Sequence, residues 1–304
     1  MRAVVLHEPD GPLSLGDLPD PDASDGRALV RVRAAGINFI DILIRRGRYP
    51  QMPEFPAVLG TEVAGELEDG TRVMALTRGT GGYAESVAVD RAQVVPLPDG
   101  ASFVEGASFL LTFLTAYIPL TRQVRLRPGA TVLVTAAAGG VGTATVQVAR
   151  ALGAEVVGLV GSEEKGDVVR ELGATHVYTY TSVPNGLHVD VVMDPVGGEL
   201  FERCLPLLKP MGTLVAIGFA GGLWPDVQPA QLVGRNVGLQ GFYLGRLLRH
   251  EPELVGQAVG ELLGLWQAGA LRPVVGAQFP LGEAEQAHEL VESRRSVGKV
   301  VLVP

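Results

Sequence analysis

The chain has a single cysteine, Cys204, in 304 residues. No internal disulfide and no cysteine-based metal cluster can be built from it. Lysine is almost as scarce: Lys165, Lys209 and Lys299 are the only three, and arginine carries the rest of the positive charge. With no basic run and a net charge of −8, a nucleic-acid partner is not expected. The five histidines (His7, His176, His188, His250 and His288) are scattered without metal-ligand spacing. Met1-Arg2 leads straight into the strand-like Ala3-Val4-Val5-Leu6, with no signal-peptide core. The longest apolar stretch, residues 107–120, is interrupted by Ser108, Thr112, Thr115 and Pro119 and reads as too short for a bilayer span. The expectation is a soluble, cytoplasmic protein with neither membrane nor nucleic acid as partner.

What the chain has in quantity is apolar residues and turn formers. Hydrophobic residues make up 47% and charged residues 19%, which supplies a packed core and excludes disorder. Forty glycines and 21 prolines, spread along the chain, favour α/β or mixed-β architecture over a helical bundle. The length suits two domains of roughly 100–200 residues each. Residues 28–34, 59–67 and 71–76 read as short strands bounded by Gly, Pro or Asp. That rhythm predicts a small β-barrel or rolled sheet.

Beyond Arg127 the period changes. Strands are predicted at 131–135, 155–160, 176–180, 189–193, 213–217 and 237–242, with helices at 143–152, 163–172 and 199–208. Continuous apolar strands alternating with helices predict a parallel sheet covered on both faces, and six is the strand count of a doubly wound dinucleotide-binding sheet. Helices at 251–268 and 281–293 follow, and a last strand at 299–303 returns to the style of the first part. The α/β unit therefore reads as an insertion.

Between the first strand and first helix of that unit lies Ala136-Ala137-Ala138-Gly139-Gly140-Val141-Gly142. Against the dinucleotide fingerprint it reads A-x-G-x-x-G, with Ala137 in the first glycine slot, then Gly139 and Gly142. The middle glycine lets backbone approach a pyrophosphate, and the last lets helix pack close to strand. The helix N-terminus then offers free N–H groups and partial positive charge. A glycine-rich chain produces such strings in plain loops too; the strand–loop–helix placement is what points to a cofactor. The second strand ends Val160-Gly161-Ser162, without the acid that would hold the ribose hydroxyls of NAD. Lys165 follows within one turn. A cation beside a serine suits a 2′-phosphate, so NADPH is the expected cofactor, with Glu163 and Glu164 as competing partners for the lysine.

Further motifs run nearly the whole chain: Ala35-Gly-Ile-Asn-Phe-Ile-Asp41, Arg46-Gly-Arg-Tyr-Pro50, Leu59-Gly-Thr-Glu-Val-Ala-Gly65, Phe113-Leu-Thr-Ala-Tyr117, Asp194-Pro-Val-Gly-Gly198 and Gly298-Lys-Val-Val-Leu-Val-Pro304. With the glycine loop, they resemble the medium-chain dehydrogenase/reductase superfamily, and within it the zinc-free, zeta-crystallin-like quinone oxidoreductases. The resemblance implies a GroES-like β-barrel catalytic domain (1–116 and 248–304) and an inserted doubly wound Rossmann domain (117–247) that binds NADPH. Zinc-dependent relatives carry a Cys in the first motif and a His just before the Glu of the third; here Ile37-Asn38 and Thr61 stand there, with Glu62 kept. No zinc site is expected. Without that Lewis acid, reduction of activated acceptors is expected rather than alcohol oxidation.

The resemblance also assigns roles. It places Asn38 beside nicotinamide and substrate, whereas the residues alone read Asn38 and Asp41 as the cap of a helix. Tyr49 matches a tyrosine proposed as proton donor or substrate binder in related enoyl-thioester reductases, against a plain reading as a loop aromatic over the barrel. Thr115 is placed at the nicotinamide carboxamide, or is bonded to its own helix. Tyr180 is placed near the 2′-phosphate, or packs at the sheet end. Gly218 and Phe219 end the fifth strand at the ligand-binding edge. Phe242 and Lys299 are assigned to the cofactor as well, with Gly140, Val141, Ser162 and Lys165. One departure concerns the substrate: many quinone reductases have a tyrosine where this chain has Leu43. Two links, 65–70 and 181–187, are shorter than the family's. The resulting expectation is hydride transfer from NADPH to a small quinone or enone, with enone or enoyl-thioester reduction and non-catalytic NADPH binding as alternatives. The bare last Rossmann strand predicts a homodimer.

Overall fold

Alternating and continuous apolar runs build two different sheets. The computed structural model describes residues 1–304 except Asp25, Arg78, Leu223 and Pro225. It divides into two compact units, residues 1–111 with 273–304, and residues 112–272.

The first unit begins with strands Arg2–Leu6 (β1), Leu13–Asp17 (β2) and Arg27–Ile37 (β3), then helix Phe39–Arg45 (α1). Strands Ala57–Val58 (β4), Glu62–Glu66 (β5), Arg72–Leu76 (β6), Ser86–Asp90 (β7) and Val94–Pro96 (β8) follow, then helix Phe103–Gly106 (α2). Helix Leu110–Ile118 (α3) crosses into the second unit.

That unit alternates strand and helix: Thr131–Val134 (β9), Gly140–Ala151 (α4), Glu155–Val160 (β10), Glu163–Glu171 (α5) and His176–Thr179 (β11). Val189–Asp194 (β12), Gly198–Cys204 (α6), Leu208–Ala216 (β13), Pro229–Arg235 (α7) and Gly238–Gly241 (β14) complete the sheet. Helices Leu244–His250 (α8) and Pro252–Gln267 (α9) close the unit. The chain then re-enters the first unit with Val275–Pro280 (β15), Ala284–Glu292 (α10) and Lys299–Val303 (β16).

In the second unit the six strands run parallel in the order β11-β10-β9-β12-β13-β14. This is the doubly wound Rossmann order, which reverses at β9/β12 and opens a crevice at the strand carboxyl ends. Val132, Leu133 and Val134 of the central β9 are at most 1% exposed, which is why its sequence is apolar without alternation. Gly153 (φ +80°) and Gly173 (φ +101°) end α4 and α5 in the left-handed conformation that the sequence leads one to expect.

The first unit has a seven-stranded sheet, β15-β16-β3-β5-β6-β8 with β7 also on β3, and a second sheet β2-β1-β4. Antiparallel β3 is the spine, pairing β5, β7 and β16. The core beneath joins Val4, Val30, Ile42, Leu59, Val63, Tyr83, Val300 and Leu302.

The sequence reading is revised in two places. The helical run Phe103–Gln123 is 21 residues, long and apolar enough for a bilayer, so residues 107–120 are not excluded by length; 78% of its most apolar stretch is buried inside the protein. The units divide at 111/112 and 272/273, while the sequence places the boundaries at 116/117 and 247/248. Helix α9 lies in the second unit because Glu261 takes both Arg122 contacts, at 2.8 and 2.6 Å, and Arg272 bonds Gln147.

Candidate active site

The glycine loop is shaped by contacts rather than by flexibility alone. After β9 the chain turns through Ala136 (φ +47°), and Gly139 N–H donates to the Ala136 carbonyl at 2.8 Å. A Cβ on Gly142 would lie 2.1 Å from that same carbonyl oxygen and 2.7 Å from Ala137 Cα, so only glycine fits where α4 meets the loop. Ala137, in the first glycine slot, is fully buried. Gly158 of β10 makes room for it, since a Cβ there would come within 3.2 Å of the Ala137 methyl. Helix α4 starts at Gly140, three residues before its expected start, with Gly139 as an N-cap that has no side chain to accept from the first turn. Its first N–H groups are left for a ligand, and Gly140, Val141 and Gly142 form that first turn.

A clamp missed in the sequence holds this loop. Asp194, at the end of β12, accepts the Thr135 hydroxyl at 2.5 Å and the Val196 and Gly197 N–H groups at 3.0 and 3.1 Å. It is fully buried, and burial raises its carboxyl above the ordinary range. The bond ties the strand end before the glycine loop to the neighbouring loop across the β9/β12 switch point.

At the tip of β10, Ser162 is the extended N-cap of α5, but its side chain makes no capping bond. Lys165 is half-buried in the first turn, and burial pulls its ammonium below the usual lysine range. Glu163 faces Arg170 at 3.8 Å. Tyr180 packs at the sheet edge, and its carbonyl accepts from the Arg203 guanidinium. Gly218 and Phe219 follow β13, with Phe219 against Trp224 at 4.9 Å between ring centroids. Phe242 follows β14 and is 6% exposed. Thr115 is buried in α3; unlike Ser108 and Thr121, it makes no hydrogen bond to the preceding turn. Apart from Thr115, on α3, these residues follow the carboxyl ends of the parallel strands.

In the first unit the spacing Asn38-x-x-Asp41 produces the expected cap. Asp41 Oδ2 accepts the Asn38 N–H at 2.8 Å and the Tyr83 hydroxyl at 3.0 Å. Tyr83 in turn lies 3.0 Å from His288 Nε2. Burial pushes the Asp41 carboxyl up to about 7 and holds His288 down at about 3, so the histidine is neutral. The Asn38 side chain also reaches beyond the cap. Its Oδ1 accepts from Lys299 Nζ at 2.6 Å, and its Nδ2 donates to Thr61 Oγ1 at 2.9 Å.

Lys299, which the sequence reading assigns to the cofactor, makes its contacts here within the first unit. The ammonium is buried, donates to the Ile37 carbonyl at 2.9 Å as well as to Asn38, and faces Glu62 Oε1 at 3.5 Å. Two of its hydrogens go to those two acceptors, and Glu62 Oε1 faces it as an ion-pair partner beyond them. Burial raises the Glu62 carboxyl and lowers the Lys299 ammonium, while each charge opposes the other's shift. Tyr49 is half-buried against the same core.

Comparison with known proteins fits this geometry. Residues 24–99 match the alcohol dehydrogenase GroES-like domain, and residues 172–302 match a domain described as zinc-binding dehydrogenase. A quinone oxidoreductase-like protein 2 homolog from Nematostella vectensis is 35% identical over 99% of this chain and 88% of its own. The chain belongs to the quinone oxidoreductase family of the medium-chain dehydrogenase/reductase superfamily. Among solved structures, the Thermus thermophilus quinone oxidoreductase, determined alone and with NADPH, is 43% identical with a TM-score of 0.94, covering 100% of both chains. The Escherichia coli quinone oxidoreductase in complex with NADPH is 30% identical with a TM-score of 0.91, over 100% of this chain and 99% of that one. This family member is therefore an oxidoreductase. Among the described residues no three His, Cys, Asp or Glu side chains could hold a metal. The ammonium of Lys299 already bonds Asn38, where a cation would need an oxygen.

Proposed function

We propose that this protein transfers hydride from NADPH to a quinone or a similarly activated acceptor, without zinc. The observation that carries the reading is the open N-terminus of α4 behind Gly139 and Gly142, next to a β10 tip that ends in Ser162 and Lys165 rather than in an acid. Gly139, Gly140, Val141 and Gly142 would hold the pyrophosphate, and Ser162, Lys165 and Tyr180 the 2′-phosphate. Ala137 would support the loop from beneath. Thr115, Gly218, Phe219 and Phe242 would attend the nicotinamide. Bound NADPH supplies the hydride; the protein supplies position. Tyr49 serves the acceptor side directly, and Asn38 serves it through its bond to Thr61.

Zinc independence is supported by the chemistry of Asn38 and Thr61, an amide and a hydroxyl already bonded to each other. Tyr49 favours a second reading, reduction of enones or enoyl thioesters, because a phenol can protonate an enolate. The test is NADPH oxidation against quinones, enones and enoyl thioesters side by side, before and after exhaustive chelation. Turnover that survives chelation is expected. Tight NADPH binding with no turnover on any acceptor would leave a nucleotide-binding protein instead.

A homodimer is part of the same proposal. Among the described residues strand β14 pairs with β13 alone, and its outer edge is a row of backbone groups that a second copy can cover.

A further inference from the structure

Around Asn38 the polar atoms are arranged with a direction. The ammonium of Lys299 has only hydrogens to give, so the atom 2.6 Å away must be the amide oxygen of Asn38. The amide nitrogen therefore faces Thr61, and it donates to Oγ1 at 2.9 Å. Its second hydrogen is directed to the Gly36 carbonyl at 3.4 Å. Both amide hydrogens are occupied, so Asn38 has none left for a substrate. Thr61 is different. Its oxygen accepts, and among the described residues no acceptor takes its own hydrogen.

We propose that the Thr61 hydroxyl is the catalytic donor of this enzyme, giving a hydrogen bond to the acceptor's oxygen as negative charge builds there. The inference rests on the reading of the protein as a quinone or enone reductase. When hydride adds to such an acceptor, a C–H or O–H bond forms and the displaced electron pair settles on an oxygen. That oxygen later takes a proton from water, and Thr61 keeps its own. Its task is to stabilise the charge in between.

Three features suit Thr61 to that task. First, the chain Lys299–Asn38–Thr61 begins at the Lys299 amino group, and each bond polarises the next, making the last hydroxyl a stronger donor than an isolated threonine. Second, that amino group is anchored. Glu62 lies 3.5 Å from Lys299 Nζ and is itself held by the Leu111 N–H at 3.1 Å. Third, the threonine cannot wander. Its carbonyl accepts from Thr77 N–H at 3.0 Å, and Gly60 before it (φ +102°) is wedged so tightly that a Cβ would fall 2.6 Å from the Tyr83 ring. A donor fixed before the charge develops needs no reorganisation when it does.

The experiment compares wild type with Thr61→Val, Thr61→Ala and Thr61→Ser, using saturating NADPH with one quinone and one enone. NADPH binding and thermal unfolding establish that each variant is folded, and Thr61→Ala stands in if Thr61→Val is not. Loss of the hydroxyl should lower kcat by about 10²-fold with the NADPH affinity unchanged, as for removal of one preorganised donor. Thr61→Ser should recover to within a few-fold of wild type. The loss should be larger for the enone, whose developing oxyanion is the more basic. Lys299→Met combined with Thr61→Val should cost little more than Thr61→Val alone, because both act along one chain. Undiminished kcat in the folded Val or Ala variant overturns the proposal, as does a Thr61→Ser enzyme no better than Thr61→Val. If the wild type reduces no quinone, enone or enoyl thioester, the reductase reading itself has failed, and the donor role falls with it.

Discussion

Lysine is so scarce in this chain that each one can be accounted for separately. Lys209 pairs with Asp190 at 2.9 Å, and Lys299 is enclosed by Ile37, Asn38 and Glu62. Lys165 stands in the first turn of α5, just beyond the tip of β10, and of the two acids before it Glu163 faces Arg170. A charge-assisted bond from Lys165 to a 2′-phosphate contributes roughly 1.5–3 kcal/mol, about one to two decades of affinity. Titration of Lys165→Ala should therefore show NADPH binding weakened by that factor and NADH binding hardly changed. Equal losses for both nucleotides would mean that the lysine serves the fold. A second residue-scale prediction concerns Asp41. Its folded carboxyl titrates at about 7, above an unfolded aspartate near ~3.9. A raised pKa stabilises the fold at low pH, and that contribution is lost as pH rises through about 7. Asp41→Asn keeps an oxygen for the Asn38 N–H and the Tyr83 hydroxyl but cannot titrate. Between pH ~4 and ~7 the melting temperature of the wild type should fall relative to that of Asp41→Asn. Parallel curves would show that Asp41 is ionised throughout.

The element scale separates what was legible in the sequence from what was not. Gly142 sits where α4 touches the turn after β9, with no space for a methyl group. Gly142→Ala should destabilise the protein by about 1–3 kcal/mol, the usual cost of overpacking, and weaken NADPH binding with it. Calorimetry with and without NADPH measures both, and an unchanged melting temperature would contradict the packing argument. This glycine was readable because its partners lie within a few residues. So were the Asp41 cap, the glycine stops of α4 and α5, and all six parallel strands. Contacts across long stretches of chain were not. Lys299 and Asn38 are 261 residues apart, Tyr83 and His288 are 205 apart, and no local pattern announces either pair. Helix α7 was missed because it buries no residue and so has no apolar stripe. Strand β15 was missed because only half of it is even partly covered.

At the scale of the whole molecule, β14 is the end strand of a six-stranded sheet, and among the described residues the buried side-chain oxygen of Gln240 within it has no partner. Sedimentation at micromolar concentration should show a dimer. A species that stays monomeric across that range would require another cover for the edge.

The pairing of β3 with β16, Ile37 opposite Val300, has a consequence for how the protein comes into being. A ribosome makes β3 early and β16 late, with the complete Rossmann unit emerging in the interval. That unit has all six of its strands in one continuous segment and can fold while translation proceeds. The first unit must wait, its central strand lacking one neighbour and its Asn38 lacking the ammonium that orients it. A nascent chain can thus complete its nucleotide-binding half while the sheet of the first unit still waits for β16, and the contact between Lys299 and Asn38 forms only once that strand has been made.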